Sequence, residues 1–202
     1  ITANGDVVYT IAHRPDFATN LRTGPWKDSG LARVFERALD DGAATEDFSR
    51  YAPSSDLPSA FIARRVEREG AAVGVLAFQL STSRIDEVLG EREGLGETGE
   101  TYIVGTDRLM RSTSRFSTTS TILSQRVDTS IVGSAFDGKR GCEETVGYRG
   151  ESVWSCCGLL DSAGFRFAVI AEVSAAEVLA PVRRAWWQLG ASLLIVGLVI
   201  SL

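Results

Sequence analysis

Apolar residues along the first half of the chain change period. Leu31, Val34, Phe35, Ala38 and Leu39 repeat at helical spacing and predict an amphipathic helix, with Asp28 or Ser29 as its N-cap. The stretches on either side are short runs rich in β-branched and aromatic residues and read as strands. Asp6 to Ala12 (DVVYTIA) reads as a first strand, and Thr101 to Gly105 (TYIVG), followed by a turn at Thr106–Arg108, reads as a later one. A shorter helix is expected from Thr129 to Phe136, capped by Asp128 and ended by Gly138.

Two stretches repeat one pattern at an offset of 93 residues. Phe61 to Leu89 and Trp154 to Val182 both read as strand, turn, strand, then a helix opened by a serine, Ser81 or Ser174. Ser174 and Glu177 have capping-box spacing. Strands enclosing short helices, closed by antiparallel hairpins, define an α+β unit with helices on one face of a sheet. Two such units are expected, 1–94 and 95–182. The Gly- and Glu-rich stretch Gly90 to Gly99 joins them. The first residues already read as strand, so an N-terminal part is expected to be missing.

From Ala185 to Leu202 no residue is charged, and Trp186 and Trp187 sit where an interfacial aromatic belt belongs. Residues 183–202 are therefore expected to begin a transmembrane helix. Pro181 is expected to kink or interrupt the helix before it.

Over 202 residues, 44% apolar and 23% charged, composition is that of a globular protein. The net charge of −5 excludes the basic stripe of a nucleic-acid binder. With His13 as the one histidine, and no G-x-S-x-G or H-E-x-x-H motif, the chain offers no catalytic triad and no histidine-rich metal site. No enzyme activity and no cofactor are expected. Gly94 to Gly99 matches G-x-G-x-x-G, yet a helix precedes it and a strand follows, the reverse of a dinucleotide-binding loop. It reads as a turn between units. The pairs Asp40–Asp41 and Glu143–Glu144 read as solvated surface.

Three cysteines follow. A two-residue turn at Arg149–Gly150 pairs Tyr148 with Glu151 and sets Cys142 opposite Cys157, which predicts a disulfide between them. A turn longer by one residue sets Cys142 opposite Cys156 instead.

Tyr9, Asp16, Phe17, Arg22, Trp26, Tyr51 and Phe61 gather aromatic and polar character before and within the first sheet. Core packing accounts for Phe17 and Phe61. Trp26 and Tyr51 stand in polar loops, RTGPWKDSG and YAPSSDLP, where large aromatics serve as pocket walls or as core.

The stretches GDVVYTIAHRPDFATNL, GPWKDSGLARVFERAL, YAPSSDLPSAFIARRV, GVLAFQLSTSRID and, most specifically, GLGETGETYIVGTDRLMRSTSRF resemble the double Cache sensor domains of bacterial chemoreceptors, sensor histidine kinases and nucleotide cyclases. The resemblance extends to Val182. It implies two PAS-like modules with antiparallel sheets, a ligand pocket in the first, homodimerisation, a membrane anchor and an extracytoplasmic position at the bacterial cell membrane. A chemotaxis receptor is the output it implies first, with a kinase or cyclase, or a ligand-free docking ectodomain, as alternatives. Many amino-acid-binding members carry R-x-W-Y and an Asp on the last strand of the first module. Here Lys27 follows Trp26, and Gln79 stands at the Asp position. That departure points away from an α-amino acid and toward a carboxylate held by Arg22 or Arg64. The expected ligand-binding set is Tyr9, Asp16, Arg22, Trp26, Tyr51, Phe61, Arg64 and Gln79.

Overall fold

The structure, a computed structural model, describes residues 1–90 and 94–200, with side chains to residue 190. Helix α1 (Gly30–Asp41) opens at Ser29, whose hydroxyl accepts the Ala32 amide at 3.2 Å, so Ser29 rather than Asp28 is the cap. It closes at Gly42, where φ of 89° lets the amide turn back to the Ala38 carbonyl. Its apolar stripe, Leu31, Val34, Phe35 and Ala38, is buried.

That stripe lies on a three-stranded antiparallel sheet of β1 (Ala43–Tyr51), β2 (Leu57–Arg68) and β3 (Ala71–Ser81), in that order. Tyr51, Phe61, Ala63 and Val75 face α1 and form the first core with Val7 and Leu21. An extra residue in β1 between Glu46 and Ser49 breaks the alternation and turns Phe48 to the back of the sheet. A short helix α2 (Thr82–Leu89) follows β3 directly, capped by the Ser81 hydroxyl.

The second sheet holds β4 (Glu100–Val104), β5 (Gly141–Val146), β6 (Ser152–Ser162) and β7 (Phe165–Ser174), all antiparallel and ordered β4-β7-β6-β5. Helix α3 (Ser130–Phe136) covers one face, where Tyr102, Val104, Met110, Val127, Ile131, Val132 and Ile170 form a second core. Asp128 does not cap it; the N-cap is Thr129, and Asp128 pairs with Arg126 instead. The other face presents Ile103, Phe165 and Phe167 to Phe48 and Ala60 on the back of the first sheet, a third core shared between the halves. Beside it the buried guanidinium of Arg111 bonds Asp47 of β1 at 2.8 Å and Asp107 at 2.9 Å. Burial opposes that charge, and the bonds from the two carboxylates outweigh it, holding the Arg111 pKa above its ordinary value.

The repeated hairpins turn through Glu69–Gly70 and Ala163–Gly164, all four residues at positive φ, as a twisted two-residue hairpin turn requires. The first strand expected at Asp6–Ala12 is not one. Ile1–Ala3 occupies the edge of β3, the chain reverses at Gly5, and only Asp6 bridges, to Asn20. With no strand beside them, Val8, Tyr9 and Ile11 stay exposed.

Helix α4 (Ala175–Ile200) continues from β7 and runs through Pro181 without interruption. The capping box expected at its start does not form. Glu177 instead accepts the amides of Glu97 at 2.9 Å and Thr98 at 2.8 Å and also the Thr98 hydroxyl, while the Ser174 amide donates to Thr98 Oγ1. The Gly94–Gly99 turn, preceded by α2 and followed by β4, is thereby fastened to the root of α4. Among the described residues no helix is long and apolar enough to cross a membrane. The span expected at 185–202 runs into residues 191–202, whose side chains lie outside the described residues.

The predicted Cys142–Cys157 disulfide is corrected to Cys142–Cys156. The loop between β5 and β6 has three residues, not two. The Gly147 amide donates to the Glu151 carbonyl at 2.9 Å, leaving Tyr148 to Gly150 as the loop, and Gly150, at φ 84°, supplies the left-handed position of a bulged turn. That one added residue shifts the register, placing Cys157 opposite Gly141. A non-reducing digest is expected to give a Cys142–Cys156 peptide and a free Cys157; a Cys142–Cys157 peptide contradicts the register. With the cysteines 14 positions apart, replacing both by alanine costs about 3 kcal/mol or less.

Candidate functional site

A group of polar side chains converges at the end of the first sheet, around the irregular segment Arg14–Pro15–Asp16. Asp16 is buried, with its Oδ2 accepting the Tyr51 hydroxyl at 2.7 Å. Tyr51 reaches it because the last residue of β1 points to the α1 face, where its ring meets Phe61 edge-on at 5.0 Å. Burial first, then the hydrogen bond to Asp16, raise the Tyr51 pKa far above the phenol range, so it remains a donor. Trp26 holds the same segment from the other side, its indole N–H donating to the Pro15 carbonyl at 3.1 Å.

Gln79 completes the group from β3. It lies directly across from Phe61, and its amide donates to Ser59 Oγ at 2.7 Å and Ser54 Oγ at 2.9 Å. Arg14 donates to Gln79 Oε1 at 3.3 Å and to the Ser54 hydroxyl through the same nitrogen. Among the described residues of this half, three buried oxygens have no protein partner: Asp16 Oδ1, Ser49 Oγ and Thr10 Oγ1. Ser49 precedes Tyr51 by two residues and shares its face. A Cβ on Gly30 would come within 3.0 Å of Ser49 Oγ and 3.3 Å of the Phe61 ring, so glycine lets the start of α1 close on this spot. An unpaired carboxylate oxygen in such a place is costly unless a donor arrives.

Of the eight expected residues, the structure brings Asp16, Trp26, Tyr51, Phe61 and Gln79 together. It does not bring Tyr9, Arg22 or Arg64. Tyr9 is 73% exposed. Arg22 pairs with Glu36 at 2.7 Å and lies over the Phe35 ring, lining an open groove with Lys27, Arg33 and Glu46. Arg64 is exposed on the back of β2, since alternation from Phe61 turns it away. Sequence reasoning missed Arg14, Ser54 and Ser59. Ser59 carried a signal, standing two positions from Phe61 on one strand face; Arg14 and Ser54 carried none. Among the described residues no group of three acidic, histidine or cysteine side chains is placed to hold a metal ion.

No family model matches the chain, and no curated protein matches it. Solved structures do. The periplasmic sensory domain of the Campylobacter jejuni chemoreceptor Tlp1 matches 74% of this chain and 57% of its own at 14% identity, with a TM-score of 0.59. The extracellular domain of a candidate histidine kinase, mmHK1S-Z3, matches 78% of this chain and 58% of its own at 16% identity and a TM-score of 0.56. The ligand-binding domain of the Pseudomonas aeruginosa amino acid chemoreceptor PctB, in complex with L-Arg, matches 89% of this chain and 71% of its own at 15% identity and a TM-score of 0.57. The chain thus spans little more than half the length of the first two. At these identities the likeness establishes the fold: an α+β architecture with antiparallel sheets, shared with the periplasmic and extracellular sensory domains of chemoreceptors and histidine kinases.

Proposed function

We propose that this chain is the extracytoplasmic, non-catalytic sensing part of a bacterial transmembrane receptor of the chemoreceptor type. Residues 1–94 form a ligand-binding PAS-like module, 95–182 a second module, and 183–202 the approach to the membrane. A sensor kinase is the second reading, supported by the likeness to mmHK1S-Z3. Such a receptor works as a homodimer whose two packings differ in ligand affinity.

One observation carries the ligand reading: Asp16 Oδ1 is buried and unpartnered, beside Tyr51, Trp26 and an Arg14 that bonds through one of its nitrogens. A carboxylate with an open oxygen takes an ammonium group. Arg14 offers its remaining N–H groups to a carboxylate. The sequence argued against an amino acid because Gln79 replaces an Asp; Asp16 supplies that charge from another segment. The favoured ligand is therefore a small zwitterion with both an amine and a carboxylate. The segment from Tyr9 to Phe17, with His13 at φ 44° and outside any strand, carries both Arg14 and Asp16.

A thermal-shift screen of the whole chain tests this. Compounds with both groups are expected to raise Tm, by about 2.7 kcal/mol of added stability at a hundredfold excess over Kd. Trp26→Ala should fold and lose the shift. If no zwitterion stabilises the wild type, or if the shift survives in Trp26→Ala, the reading fails.

A further inference from the structure

The second sheet contains a buried polar group that has no part in the site above. Glu100 of β4 and Glu172 of β7 are direct partners across the strands, 1% and 3% exposed. Side chains so paired lie about 5 Å apart. Two buried carboxylates at that range cannot both ionise cheaply. Glu100 is well served as an anion, accepting the Arg115 amide at 2.9 Å and the Tyr148 hydroxyl at 2.7 Å. Glu172 is not. Its Oε2 accepts the Tyr102 hydroxyl at 3.0 Å, and its Oε1 has no partner. Ser155, the partner of Glu172 on β6, is fully buried and its hydroxyl is also unpartnered. The turn backbone closes the remaining side, since a Cβ on Gly147 would lie 3.3 Å from Oε1.

The charged and titratable groups facing Glu172 are few. β4 contributes Glu100 and Tyr102, and the β5–β6 turn contributes Tyr148, Arg149 and Glu151. Helix α3 (SIVGSAF) contributes none. The Arg149 guanidinium is held by Glu151 at 2.7 Å and by the Phe116 ring at 3.7 Å. Arg115, which follows β4, is held by the Gly99 and Glu97 carbonyls. Neither cation pairs with Glu172.

We propose that Glu100 and Glu172 form a proton-binding site, with a single proton held on Glu172. The proton removes one of two like charges held on directly paired, buried residues. Burial foremost, with the Glu100 charge adding to it, pushes the Glu172 carboxyl up to about 7 from 4.5. The position matters. Glu172 stands two residues before Ser174, and Glu100 two residues after Thr98, and the Thr98 hydroxyl joins both Ser174 and Glu177 of α4. Charge released on Glu172 thus appears in the strand pair that roots α4.

The sign of the pH effect follows from the raised value. Between pH 4.5 and about 7 the folded chain binds more protons than the unfolded one, so stability falls as pH rises through this window and levels above it. Infrared spectroscopy of the wild type should show a buried carboxylic-acid band that vanishes as pH passes about 7. Glu172→Gln should lack the band and flatten the pH dependence of Tm. Glu100→Gln should move the band's midpoint to lower pH by removing the opposing charge. A wild type without the band below pH 7, or a band retained in Glu172→Gln, overturns the proposal; the wild-type titration decides even if a variant fails to fold.

Discussion

Asp47→Ala and Asp107→Ala together are expected to destabilise the chain by about 3–5 kcal/mol, the cost of leaving a buried charge without its partners. Arg111 is 3% exposed, and those two carboxylates are the ion pairs it makes. Its guanidinium also lies close against Gly105, where an added Cβ would collide with it. Asp47 and Asp107 are themselves 39% and 46% exposed, so they hydrate readily once freed. The asymmetry gives an internal control. Adding Arg111→Met to the double variant removes the stranded charge and should recover most of the loss. Urea unfolding curves measure all three. Asp47 belongs to the first sheet and Asp107 to the second half, so Asp47→Ala alone should cost less while loosening the shared core of Phe48, Phe165 and Phe167.

Asp16→Ala is expected to cost about 2–5 kcal/mol of ligand affinity, roughly thirtyfold to several thousandfold in Kd, the usual loss when one partner of a desolvated charge pair is removed. Isothermal titration of the compound found by thermal shift measures it. Tyr51→Phe should cost less, since it leaves Asp16 Oδ2 without its donor but retains the charge that meets the ammonium. Asp16→Asn separates charge from shape. If it binds as the wild type does, the ammonium assignment is wrong.

What was legible in the sequence was what regular structure dictates. The α1 stripe, Leu31 to Ala38, faces one sheet, and a helix in water has no other way to bury it. The two hairpins were visible because each strand pair is long and each turn carries glycine second, Gly70 and Gly164. The cysteine register failed by one residue because Gly150 serves equally in a two-residue turn and in a bulged three-residue turn, and composition does not separate them. Val7 to Ile11 is rich in strand-forming residues, yet a strand needs a neighbour, and Ile1–Ala3 had already taken the edge of β3. Ser174 and Glu177 have the right spacing for a local cap, but the Glu97 and Thr98 amides, 80 and 79 residues away, compete for the same carboxylate and win.

The candidate site divides in the same way. Tyr51, Phe61 and Gln79 sit on strands and are placed by alternation, so their convergence follows from register. Arg14 and Asp16 sit on an irregular segment whose path depends on left-handed residues, His13 and Ala18, that carry no glycine signal. Ser54 precedes another such pair, Ser55 and Asp56. Arg22 and Arg64 attracted notice for their charge alone, and charge without a placed backbone does not locate a side chain.

The account stands most directly on where the ligand lies. A crystal structure of the chain with the stabilising zwitterion is expected to show its ammonium group against Asp16, its carboxylate at Arg14, and Trp26 and Tyr51 beside it. A ligand seated in the groove lined by Arg22, Lys27 and Arg33, or bound among the second-sheet residues with the Asp16–Tyr51 pair untouched, would contradict it.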